Sequence, residues 1–182
     1  MIRLQNDLLS LRAIESEDID LLFDLENDLD LWKYSNRSQP YSRDLLQKYI
    51  ANAHKDIFEV RQIKFAICTL DGIAVGFIDL FDYEPLHHRA GVGLVLREQD
   101  QNKGYGKSSL ELIALYAQKY LQLHQLYANI AKENQISIQL FEGQGYTFVG
   151  IKKDWNFYEG QYHDENIYQK MIGWSIERKY WA

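Results

Sequence analysis

The chain has 182 residues, 46% of them hydrophobic and 25% charged, enough apolar sequence in one ordinary domain length for a sizeable core, which argues against disordered and multi-domain readings. Its 13 Tyr, 8 Phe and 4 Trp against 2 Pro and 11 Gly fit long regular elements and exclude collagen-like, linker and low-complexity classes. The 20 Lys plus Arg against 26 Asp plus Glu give a formal charge of -6, so no global field favours nucleic acid, and a cationic or small-molecule partner is easier to justify.

In chain order, Leu9-Ser10-Leu11-Arg12 alternates as a half-buried strand over residues 7–14 should. Ser16 followed by Glu17, Asp18 and Asp20 resembles a helix start, and the helix is predicted to run to Trp32 with Ile19, Leu22, Phe23 and Leu29 on one face. A second helix begins near Ser42 and uses Leu45, Leu46, Tyr49 and Ile50. Strands over 60–70 and 73–81 flank Asp71-Gly72, the strongest short hairpin signal. Cys68, the single cysteine, lies among apolar neighbours and reads as a buried small residue. A strand over 89–96 leads into a polar, glycine-bearing stretch and a helix over 104–121, where Leu110, Ile113, Ala114, Ala117 and Leu121 form a buried stripe. A strand over 126–131, a short helix over 134–142 and closing strands over 146–152 and 166–174 complete one mixed α/β domain spanning 1–182. No run reaches the roughly 18 apolar residues of a membrane helix and the N-terminus lacks a signal-peptide layout, so a soluble cytoplasmic protein without a membrane partner is expected.

Three phosphate-binding readings compete for the stretch before the long helix. Gly106-Lys107-Ser108 ends a P-loop pattern, but Gln101 stands where its first Gly belongs. Gly91 and Gly93 lack the third Gly of a dinucleotide fingerprint and lie within a strand. The remaining pattern is Q/R-x-x-G-x-G/A, here Gln101-Asn102-Lys103-Gly104-Tyr105-Gly106, opening an amphipathic helix. Two glycines let the backbone approach a pyrophosphate, the helix start offers free N–H groups, and Lys103 and Lys107 add positive charge. With this loop the chain resembles the GNAT N-acetyltransferase superfamily over nearly its whole length. The resemblance implies an α/β (α+β) fold, a central mixed, largely antiparallel sheet flanked by helices, with a V-shaped opening for acetyl-CoA. It also implies that the backbone at Leu94, Val95 and Leu96 pairs with the pantetheine arm, and that Asn134 and Ser137 contact it. Read without the family, Asn134 is a helix cap, and the two roles can coexist.

The segments 79–90 and 157–162 look most similar to bacterial spermidine/spermine acetyltransferases and ribosomal-protein N-terminal acetyltransferases. Such enzymes often carry a Tyr that protonates the leaving thiolate; this chain has Phe141 there, which cannot donate a proton. The stretch Asn36-Arg37-Ser38-Gln39-Pro40-Tyr41 has no acid where polyamine acetyltransferases have a Glu pair, and Arg37 would repel a polycation. Eight acids between Ala13 and Trp32, with no Lys or Arg among them, read as a solvated helix face or as a field attracting cations. Asp79, Glu84 and Asp82 are candidate general bases because they precede the cofactor-binding strand. His87 and His88 are adjacent, so on a strand they would point to opposite faces and could not easily share one metal ion; they read as loop or surface residues. The reaction implied is acetyl transfer from acetyl-CoA to a small amine such as a polyamine, with a protein N-terminus, or a non-catalytic acyl-CoA sensor, as alternatives. A homodimer or higher homo-oligomer is expected by analogy.

Overall fold

Apolar alternation places the first strand where the sequence predicts it: β1 (Leu9–Ala13) buries Leu9 and Leu11 on one side. In the computed structural model, which describes residues 4–35, 39–53 and 55–173, β1 pairs antiparallel with β2 (Ile63–Thr69), and β2 with β3 (Ala74–Glu84) across the Asp71-Gly72 turn. Gly72 has φ +86°, the left-handed conformation this turn demands. β4 (Arg89–Leu96) adds antiparallel to β3, and β5 (Gln125–Ala131) lies parallel to β4. The antiparallel hairpin of β6 (Thr147–Tyr158) and β7 (Gln161–Met171) joins through β7, giving the order β1-β2-β3-β4-β5-β7-β6.

Helices cover both faces. α5 (Tyr105–Lys119) buries Leu110, Ile113, Ala114 and Ala117 against Leu9, Ile67, Ile78, Leu80 and Leu126. On the opposite face, Leu22 of α1 (Ile19–Glu26) and Leu46 of α3 (Arg43–Ala51) close over Ala66, Cys68 and Phe77. α2 (Leu29–Trp32), α4 (Ile57–Val60) and α6 (Gln135–Gly143) are short. Among the described residues no helix is long and apolar enough to cross a membrane.

The structure departs from the sequence expectation in specific places. The predicted helix over 16–32 is a 3-10 turn (Ser16–Asp18), then α1, then α2. It breaks because the Asn27 side chain is bonded to both backbone groups of Tyr41, at 2.7 and 3.0 Å, and Asp28 is extended and caps Asp30. Leu29 is consequently 71% exposed rather than on the buried face, and Leu45 of α3 is also exposed. Residues 57–60 are helical, not the start of β2, because Asp56 caps Phe58 and Arg61 turns left-handed. Of the closing strands, β6 runs well past the predicted end at 152 to Tyr158, and β7 starts and stops earlier than predicted, at Gln161 and Met171; they join at Glu159-Gly160 with φ +51° and +78°. Asn36, Arg37, Ser38, His54 and Trp174 lie outside the described residues.

Candidate active site

β4 and β5 pair only through Arg89, Ala90 and Gly91, opposite Gln125, Leu126 and Tyr127. Beyond Gly91, β4 continues to Leu96 with β3 alone, so the sheet opens into a V whose β4 edge is formed by Val92 to Leu96. Leu94 and Leu96 turn their side chains to the α5 layer and Val95 to the opposite layer, leaving the backbone of Leu94, Val95 and Leu96 on the opening. The loop after β4 is fixed by its own geometry: Asn102 has φ +60° and Gly104 φ +84°. Gly104 is the residue before α5 and supplies no capping side chain; the N–H groups of Tyr105, Gly106 and Lys107 belong to the first turn and lack intrahelical partners. Gly106 is buried where three elements meet, since a Cβ there would stand 3.0 Å from Leu140 of α6 and 3.5 Å from Leu94 of β4.

The charge of this loop is more balanced than the sequence suggests. Asp100, buried, accepts from Arg97 Nε at 2.6 Å and Lys103 Nζ at 2.9 Å. Burial pushes the Asp100 carboxyl up, but the bonds from Lys103 and Arg97 outweigh it and hold the group below the usual range. Lys103 therefore serves the loop's internal structure, while Lys107 and Gln101 hold the exposed and half-buried flanks. Asn134 caps α6, its side-chain oxygen accepting from Ser137 N at 3.1 Å, so the cap reading is correct.

The candidate bases separate. Asp79 lies on β3 directly across from Gly93 and accepts from Gln62 Nε2 at 3.1 Å; a Cβ on Gly93 would stand 2.6 Å from Asp79 Oδ1, so the carboxylate lies over β4 beside the opening. Glu84 pairs opposite Arg89, at the end of β4 away from the opening, and is bonded to Arg61 at 2.8 Å. Asp82, left-handed and exposed, accepts from the Tyr127 hydroxyl at 3.3 Å. His87 and His88 sit in an exposed 3-10 turn and its left-handed end, in line with the loop reading, and His88 Nδ1 lies 3.1 Å from the Gln122 carbonyl oxygen. Among the described residues no group of three potential metal ligands occurs. Phe141 is buried edge-to-face on Tyr146, ring centroids 4.9 Å apart; burial pushes the Tyr146 phenol up, and its oxygen has no hydrogen-bond partner among the described residues.

On the sheet's α1/α3 side a cavity of about 460 Å³ opens between α2 and the β6–β7 hairpin. Its walls include the rings of Trp32, Trp155, Phe157 and Tyr158, with the acids Asp30 and Glu159 against the single cation among the described residues, Lys33. Lys152 stands beside it, 4.8 Å from the Trp155 ring, bonded to Asn129 at 3.1 Å and to Glu165 at 3.0 Å, which neutralises its charge locally. Of the acidic run, Asp18 is buried on Arg12 at 2.7 Å and Glu26 is bonded to Lys64 at 3.2 Å, so both are structural. Of the cavity-lining residues, the sequence singles out Phe157, Tyr158 and Glu159 by resemblance and Asp30 within the acidic run, but not Trp32, Lys33 or Trp155 as members of a site. The linear signal at the hairpin is the cluster of aromatics in Trp155-Asn156-Phe157-Tyr158, which meets α2 only through the fold. Together, the opening offers backbone and helix-end donors to an anionic ligand, and the cavity offers ring faces and carboxylates to a cationic one.

An acetyltransferase (GNAT) domain model matches residues 9–147. The chain is 24% identical over 159 residues to a spermidine N(1)-acetyltransferase of Vibrio cholerae, covering 87% of this chain and 90% of that one. The crystal structure of a Vibrio cholerae spermidine N-acetyltransferase with CoA and spermine superposes with a TM-score of 0.83 at 23% identity, covering 92% of this chain and 97% of that one. A dodecameric Vibrio cholerae enzyme of the same description superposes with a TM-score of 0.76 at 24% identity, covering 96% and 99%.

Proposed function

Since the chain belongs to the GNAT acetyltransferase family, whose members move acetyl from acetyl-CoA to an amine, we propose that its acceptor is an alkyl polyamine of the spermidine class, bound in the cavity between α2 and the β6–β7 hairpin. The observation that carries this reading is the wall chemistry: four aromatic rings beside Asp30 and Glu159. Ring faces attract ammonium groups within about 6 Å, and methylenes between two charged ends cover apolar ring surface while the ends meet carboxylates. The spermidine acetyltransferases that the chain resembles act on the same class.

We assign acetyl-CoA to the opening between β4 and β5. Its pantetheine arm runs along Leu94, Val95 and Leu96 and meets Asn134 and Ser137. Its pyrophosphate is held by Gln101, Asn102, Lys103, Gly104, Tyr105, Gly106 and Lys107, chiefly through backbone N–H groups and the positive end of α5. Backbone donors of β4 polarise the thioester carbonyl, a contribution that needs no catalytic side chain. The substrate amine arrives as an ammonium with a pKa of about 10, so a proton leaves before nitrogen attacks; Asp79, beside the opening, is the assigned acceptor of that proton. Nitrogen then bonds to the carbonyl carbon, the C–S bond breaks, and the thiolate takes a proton from the attacking nitrogen or from water, because Phe141 has none to give. One proton is released per turnover. We read residues 1–182 as one domain working as a cytoplasmic homo-oligomer; the dodecameric relative supports assembly, and the lone buried Cys68 suits a reducing compartment.

The test is thiol release from acetyl-CoA with spermidine, spermine and short peptides. Polyamine turnover is expected. Activity confined to peptides would replace the polyamine with a protein N-terminus, and acetyl-CoA binding without turnover on any amine would make the chain an acyl-CoA sensor.

A further inference from the structure

Glu133, in the turn between β5 and α6, sets two rings at once. Its Oε2 accepts from the Tyr158 hydroxyl at 3.4 Å and its Oε1 lies 3.3 Å from His163 Nδ1. The two rings lie flat on each other, centroids 3.6 Å and planes 6° apart. A carboxylate oxygen only accepts, so Nδ1 carries the proton in the neutral imidazole, and the lone pair is left on Nε2. His163 is 10% exposed at its side chain, and its Nε2 is buried with no hydrogen-bond partner among the described residues. A buried polar atom without a partner weakens the folded state, so stability alone does not account for an imidazole at this position. Tyr158 is also a wall of the aromatic cavity. Burial and then Glu133 push its phenol up to about 12, which keeps it a neutral donor to that carboxylate.

We propose that Glu133 and His163 are positioning residues for acceptor binding: carboxylate and imidazole hold the Tyr158 ring as a fixed wall of the cavity, so that amine binding, not acetyl transfer, depends on them. The inference rests on the acceptor reading of that cavity. A ring held in place before the ligand arrives loses less freedom on binding than a mobile one, so affinity rises without any new contact. Glu133 also directly precedes Asn134, the cap of α6, so the wall is anchored to the element assigned to the pantetheine arm.

The experiment compares wild type, Glu133→Gln, His163→Ala and His163→Phe by steady-state kinetics with the best amine of the panel, alongside thermal unfolding. His163→Ala is expected to raise the amine KM about 10-fold, with kcat and the acetyl-CoA KM within about 2-fold. Glu133→Gln is expected to raise the amine KM about 3-fold, and His163→Phe, which restores a flat ring under Tyr158, to recover most of the His163→Ala loss. If His163→Ala does not fold, Glu133→Gln decides. An unchanged amine KM in His163→Ala or, failing that variant, in Glu133→Gln overturns the inference, as does a fall in kcat alone. A parallel rise in both KM values with lowered Tm and no recovery in His163→Phe reduces the cluster to a structural one and also overturns it. A wild type that acetylates no amine removes the acceptor reading and this inference with it; a wild type that acetylates amines while the variants match it removes this inference alone.

Discussion

Placing a negative charge at Gly104 separates the binding role of the loop from its contribution to folding. Gly104 has φ +84°, and a Cβ there meets only Leu8 Cδ2 at 3.3 Å, a half-exposed side chain able to give way. Gly104→Asp and Gly104→Asn introduce nearly the same left-handed strain, about 1 kcal/mol, which lowers Tm by about 2–4 °C in a domain of this size. The two differ in charge. One unit charge about 6 Å from a phosphate is repelled by about 0.7 kcal/mol at a dielectric of about 80 and about 3 kcal/mol at about 20, or about 3- to 100-fold in Kd. At a concentration of about 100 times the wild-type Kd, acetyl-CoA stabilises by about 2.7 kcal/mol, a Tm rise of about 5–10 °C. A 30-fold weaker Kd leaves about 0.9 kcal/mol, or about 2–3 °C. Thermal unfolding with and without acetyl-CoA reads both quantities, and raised salt should narrow the difference between Asp and Asn. Equal weakening by Asp and Asn would show that shape rather than charge is at stake, and undiminished shifts in both would remove the loop from the binding site.

Phe141→Tyr tests the proposed lack of a side-chain donor to the thiolate: on that reading kcat is expected to rise while stability falls by about 1–3 kcal/mol, since the site is buried. An unchanged kcat would mean that protonation of the thiolate does not limit turnover. The Asp18 carboxyl is pushed up by burial but held below its usual range by Arg12 and the Glu15 N–H. Its stabilisation is therefore present above the unfolded pKa of about 3.9 and is lost as pH falls through the lower folded value. Asp18→Asn should accordingly lose about 1–3 kcal/mol at pH 7, and its urea midpoint should converge on that of the wild type as pH drops towards 3. Burial pushes the Cys68 thiol up, so native protein should react with a thiol reagent at least about 100-fold more slowly than urea-unfolded protein; equal rates would contradict the packing of that layer.

The loop and its helix were legible because their chemistry is contiguous. Gln101 to Gly106 carry the backbone requirement within six residues, and the stripe from Leu110 to Ala117 repeats at helical spacing, so neither depends on distant partners. The break after Glu26 was illegible for the opposite reason: Asn27 is diverted by Tyr41, 14 residues away, and no local propensity records that. In β6 the alternation that reveals a strand is reset by irregularities between Phe148 and Gly150 and between Lys152 and Asn156. Each shift turns the following side chains to the other face, and exposed Ile151, Trp155 and Phe157 give no apolar period. The aromatic cavity joins residues 29–35 to 155–159, a juxtaposition that only the closed sheet creates.

The three-residue seam between β4 and β5 is also the weakest point of the sheet's hydrogen-bonded ladder. β1 to β4 form one antiparallel block of the sheet and β5 to β7 another, joined by this short ladder and by the shared core beneath α5. Amide hydrogen exchange in such an architecture should resolve two cooperative units of differing protection rather than one. On the proposed assignment of acetyl-CoA to the opening, the ligand would bridge both units and bind only when they are docked. It would therefore act as a removable strand that fuses two foldons into a single unfolding transition.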